Sequence, residues 1–121
     1  MFSLTSSHRY FMFSKPTDMR KSFDGLCGIV SEKLNRHATN GDVFVFFNKR
    51  RDRLKLLHWE TGGFVLYYKR LEKGVFLLPE SNGENLPLAW SQLVMIIEGF
   101  QLKNMERSPR YTPKNTVKKV S

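Results

Sequence analysis

Apolar positions along the chain fall into short blocks of differing period, and each block predicts an element. His8 to Phe13, apolar from Tyr10 onward, runs into the pre-proline Lys15 and Pro16, which disfavour helix, so it reads as a short strand. Beyond it, Met19, Phe23, Leu26, Cys27, Ile29, Val30 and Leu34 recur at spacings of three and four. They predict one buried helical stripe, capped by Thr17 or Asp18. Gly25 and Gly28 lower the propensity of that helix by about 1 kcal/mol each relative to alanine, which anticipates close packing or a break there.

Three blocks dense in β-branched and aromatic residues follow: Asp42 to Phe47, Arg53 to Glu60 and Gly63 to Leu71. The turn between the first two is long enough for a hairpin loop. The turn at Thr61-Gly62-Gly63 has the glycines that positive φ requires, so the three strands predict an antiparallel meander. Apolar and polar positions alternate imperfectly in the last two strands, which anticipates a sheet partly covered on both faces. A short apolar piece, Val75 to Leu78, stops at Pro79. After the polar turn Glu80 to Asn85 and Leu86-Pro87-Leu88, a closing helix carries Trp90, Leu93, Val94 and Ile97 on one face, with Ser91 near its cap and Gly99 at its end. The expected architecture is α+β: a small antiparallel sheet of about four to five strands packed with a helix in the N-terminal half and a C-terminal helix.

Length and charge refine this picture. A chain of 121 residues has room for one domain, expected over 1–100. Its 20 basic and 11 acidic side chains leave a net charge of +9, and the surplus is uneven. Residues 1–100 hold 14 basic against 10 acidic side chains, and residues 101–121 hold 6 against 1. The second segment also has two prolines and few apolar residues, so it reads as a flexible basic tail. A single cysteine, Cys27, precludes an intrachain disulfide and a thiolate cluster and fits a reducing, cytoplasmic setting. No run of eighteen apolar residues predicts a membrane span, and the N-terminal residues lack a secretory pattern.

The strongest local signal is the run Lys49, Arg50, Arg51, Arg53 and Lys55, opposed only by Asp52. At a hairpin tip such charges repel one another unless an anion sits among them, and arginine forks match phosphate oxygens. A solvated turn is the ordinary alternative for a charge run. Lys69, Arg70 and Lys73 form a second basic group, and Arg20 and Lys21, in the first turn of the predicted helix, form a third. The neighbouring aromatics invite either base stacking or, more commonly for strand residues, core packing.

Catalytic chemistry has little to stand on. His8, His37 and His58 are not at metal-ligand spacing, so no metal site is expected. Cys27 lies on the apolar stripe, where a buried thiol is inert. There is no phosphate-cradling glycine loop and no nucleophile elbow. Asp18, Asp24, Asp42, Asp52 and Glu60 are the carboxylates that could converge on magnesium, but Asp18 and Asp24 read as capping and charge-balancing residues, Asp42 follows a turn glycine and Asp52 neutralises the arginine run. No cofactor is expected, and the chain is not expected to be an enzyme.

Three consecutive blocks carry a family resemblance: Lys15-Pro16-Thr17-Asp18-Met19-Arg20-Lys21-Ser22-Phe23-Asp24-Gly25-Leu26, then Gly41 through Trp59, then Gly62 through Gly74. Together with Trp90-Ser91-Gln92-Leu93 and Glu98-Gly99-Phe100, they resemble the TnpB-type accessory protein of the sixty-six family of bacterial insertion sequences, the second open reading frame preceding the transposase. It is distinct from the RNA-guided nuclease that shares the name. The resemblance covers roughly residues 8 to 100 and implies a non-catalytic accessory role in transposition beside a separate transposase. It carries no catalytic residue set. The basic tail, Cys27 and Tyr67 depart from the family's usual pattern, in which a small residue and often tryptophan stand at the last two positions.

Two mechanisms follow as expectations. In the first, Lys49, Arg50, Arg51, Arg53, Lys55, Lys69, Arg70, Lys73, Arg20 and Lys21 contact DNA phosphates. In the second, Trp59, Phe64, Leu66, Tyr67 and Tyr68 form an aromatic sheet face that docks on the transposase or on a second copy of the chain.

Overall fold

The computed structural model describes residues 4–99. Its elements are β1 (Tyr10–Phe13), α1 (Phe23–Glu32), β2 (Val43–Phe47), β3 (Arg53–Glu60), β4 (Gly63–Arg70), β5 (Asn85–Leu88) and α2 (Trp90–Glu98). The five strands form one sheet in the order β4-β3-β2-β1-β5. The meander β2-β3-β4 is antiparallel as expected, in unbroken register from Val43 opposite His58 and from Arg53 opposite Arg70.

The sheet departs from the expected antiparallel arrangement at its centre. β1 pairs with β2 in parallel, Tyr10 beside Val43, and β5 closes the far edge antiparallel to β1. A parallel pair needs a long crossover, and the segment holding α1 supplies it.

The crossover also explains the burial pattern. Tyr10, Met12, Val43, Val45, Phe47, Leu54 and Leu56 pack on one face with Leu93, Ile96 and Ile97 of α2. Phe11, Phe13, Phe44, Phe46 and Leu57 pack on the other face with Leu26 and Val30 of α1. β1 and β2 lie between two helical layers, so every one of their residues is buried, and their sequences are apolar runs rather than alternations.

One boundary differs from expectation. α1 begins at Phe23, with Ser22 at the N-cap, so Thr17, Asp18, Arg20 and Lys21 lie in the preceding loop and not at the cap or in the first turn. The loop is held extended because Thr17 N–H donates to the Phe47 carbonyl at 2.7 Å, which continues past β2. The apolar piece Val75 to Leu78 forms no regular element; Phe76 is buried and its N–H donates to the Arg51 carbonyl at 2.7 Å, docking the segment against the turn of the β2–β3 hairpin. α2 begins beside Ser91 as expected, with the Gln92 side chain accepting from the N–H of the N-cap Ala89 at 2.7 Å, and Gly99 ends the helix at φ +90°.

Candidate nucleic-acid interface

Asn48 organises the hairpin on which the basic run sits. Its carbonyl accepts from Arg51 N–H at 3.0 Å, and its Oδ1 accepts from the N–H groups of Asp52 and Arg53, both at 3.0 Å. Its Nδ2 donates to Asp52 Oδ1 at 2.6 Å, which leaves Asp52 engaged within the turn. Arg51 takes the left-handed conformation, φ +61°, that ends such a turn and reverses the chain into β3. The result is an exposed tip with Lys49 and Arg50 projecting from it.

The tip faces the loop that precedes α1. Pro16, Thr17, Asp18, Met19 and Arg20 on one side, and Asn48, Lys49, Arg50, Asp52 and Arg53 on the other, line an open groove of about 480 Å³. Four cations from two distant stretches of sequence therefore border one concavity. Asp18 accepts a two-pronged contact from Arg20, with Nη2 to Oδ2 at 2.7 Å and Nε to Oδ1 at 3.1 Å, as well as Arg20 N–H at 2.9 Å. The Arg20 hydrogen bonds hold the Asp18 carboxyl down at about 2. Thr17 is buried, and its Oγ1 has no hydrogen-bond partner among the described residues.

Lys55 requires a correction. It is buried, and its ammonium donates to the carbonyls of Met19 at 2.8 Å and Lys21 at 2.7 Å, while lying 4.6 Å from the Tyr68 ring centroid. A lysine so enclosed fastens the loop to the sheet and is not free for an external phosphate. Arg70 lies opposite Arg53 on the α1 side of the sheet and pairs with Glu72 at 2.9 Å; Arg53 donates to Tyr68 Oη at 3.3 Å. Arg51 and Lys69 belong to the other side: Arg51 lies 5.9 Å from the Phe47 ring, and Lys69 Nζ reaches the Ile97 carbonyl at 3.4 Å. Lys21 is exposed beside α1, and Lys73 is exposed in the turn after β4.

The aromatic group is divided as well. Trp59, Phe64, Leu66 and Tyr68 share the α1 side, whereas Tyr67 packs with the cluster under α2. Trp59 and Phe64 meet edge to face at 4.9 Å, and only Tyr68 of the group is well exposed, at 47%. One contact had no sequence signal: His8 and His58 meet ring to ring at 4.8 Å, with His58 Nδ1 3.5 Å from Glu60. No group of three or more metal-ligating side chains forms among the described residues. Cys27 is half-buried, and burial together with Asp24 pushes its thiol above the ordinary range, away from a reactive thiolate.

The family model described as IS66 Orf2 like protein matches residues 8–107, and the chain belongs to that family. It is also similar to two uncharacterized proteins of Sinorhizobium fredii. One, y4jC, is 30% identical over 105 residues, covering 87% of this chain and 90% of the relative. The other, y4hO, is 29% identical over 104 residues, covering 86% and 90%. No solved structure matches the chain significantly. Membership in the family points to an accessory role in transposition, and the family is not a known catalytic one. No helix among the described residues is long and apolar enough to cross a membrane.

Proposed function

We propose that the protein is a non-catalytic accessory factor in transposition that binds DNA through phosphate contacts at the hairpin groove and assists a separate transposase. The observation that carries this reading is the convergence of Arg20 with Lys49, Arg50 and Arg53 around one open concavity. Both Arg20 and Arg53 come from elements tied to the sheet, so the charges are positioned before a ligand arrives. Phosphate is the ligand chemistry that repays this arrangement, because guanidinium forks match its oxygens and each neutralised phosphate releases counterions. Arg70, beside Arg53, extends the same side; the tail supplies sequence-independent attraction.

The test is a binding titration of the full chain on element-end DNA against a scrambled duplex, with Arg50→Glu/Arg53→Glu as the comparison. Preference for element ends that the double variant loses supports recognition through the groove. Binding equal on both duplexes and unchanged in the variant leaves docking on the transposase, through the side that exposes Tyr68, as the function.

A further inference from the structure

The two edges of the sheet are finished differently. β5 is four residues long and contains Pro87, features that discourage further pairing. β4 has eight residues, no proline and no bulge, and among the described residues no strand lies on its outer side.

Its hydrogen-bonding sense is fixed by the residue that follows it. Leu71 N–H donates to the Asp52 carbonyl at 2.8 Å, so odd-numbered residues of β4 address β3. Phe64, Leu66, Tyr68 and Arg70 consequently turn their N–H and C=O groups outward. Val65 and Tyr68, two of the four well-exposed large apolar residues among those described, lie on this strand, one on each face.

We infer that the outer edge of β4 pairs antiparallel with β4 of a second copy, about a two-fold axis at Tyr67. A two-fold axis between antiparallel strands stands perpendicular to the sheet, so opposed residues share a face and the axis passes through a residue position. Centring on Tyr67 is the register that uses all four outward residues, Phe64 with Arg70 and Leu66 with Tyr68, for about eight backbone hydrogen bonds.

Side chains favour the same register. Lys69 falls opposite Val65 and Arg70 opposite Phe64, so no cation opposes another across the junction. Both charges are already directed elsewhere, Lys69 toward the Ile97 carbonyl and Arg70 toward Glu72. The α1 sides of both copies then point the same way. At about 3.3 Å per residue and about 4.8 Å per strand the hairpin tips stand roughly 45 Å apart, which presents both grooves on one side to a single duplex. This last consequence rests on the DNA reading; the dimer does not.

Sedimentation equilibrium of the full chain, without DNA, tests the inference. Val65→Lys places like charges opposite Lys69 and should raise the dimer dissociation constant at least tenfold, whereas Val65→Glu should lower it. Tyr68→Pro removes an outward N–H while sparing the β3 ladder and should give a folded monomer. In a Cys27→Ser/Tyr67→Cys chain the thiols meet at the axis in a non-hydrogen-bonded pair and should cross-link under mild oxidation. A wild-type chain that stays monomeric at all concentrations overturns the inference, as do Val65 variants that shift association in the same direction.

Discussion

Lys55 donates its ammonium to the Met19 carbonyl at 2.8 Å, joining residues 36 apart in sequence. With the second bond to the Lys21 carbonyl, a lysine from inside the sheet holds one wall of the groove against the strand that leads from the other. Replacing it by methionine keeps the apolar stem but leaves two partly buried carbonyls without their charged donor. Lys55→Met is expected to cost about 1–3 kcal/mol in urea unfolding. It should also speed amide exchange at residues 19–21. Unchanged stability and exchange would show that the loop is held by other contacts.

Gly28 sits in the interior of α1, and a Cβ built there meets nothing within 4 Å. Close packing is therefore not the reason for the glycine. Gly28→Ala should stabilise the fold by about 1 kcal/mol, read as a higher urea midpoint with an unchanged slope. A loss of stability would mean that the space is occupied in solution.

Asp18 and Arg20 carry a pH signature. The folded-state carboxyl sits at about 2 against an ordinary 3.8, so the pair favours the folded chain above the ordinary value and loses that contribution as pH falls through about 2. A carbon-detected titration should find the Asp18 midpoint near 2 and, in Arg20→Ala, shifted upward but still below its ordinary value, because the backbone N–H of residue 20 still donates to the carboxylate. Asp18→Asn releases Arg20 toward the groove and should tighten DNA binding while steepening its salt dependence by about one unit. Weaker binding in that variant would mean that the carboxylate positions Arg20 productively.

Much of the fold was legible from local pattern. Three dense β blocks with their turns define the meander, and the apolar stripe from Phe23 to Leu34 defines α1. What failed depends on distant contacts. Met19 continues the helical spacing, yet the Phe47 carbonyl holds Thr17 extended, which pushes the helix start to Phe23. Nothing local distinguishes β1 parallel to β2 from an antiparallel neighbour; the crossover decides it.

The candidate site divides the same way. Charge density marks Lys49 to Arg53, but bringing Arg20 to them takes the folded loop, and burying Lys55 takes the Met19 and Lys21 carbonyls. The period-two alternation of β4, legible in the sequence, sends Tyr67 to the face opposite Tyr68 and divides the aromatic group.

The most direct measurement is the salt dependence of duplex DNA binding by the full chain and by Arg50→Glu/Arg53→Glu. If the groove and its neighbours neutralise about six to eight phosphates, the logarithm of the binding constant should fall with that of salt at a slope of about −5 to −7. The double variant should be shallower by about two units, with its fold unchanged by circular dichroism. An identical slope and affinity in the two proteins would contradict phosphate binding at the groove.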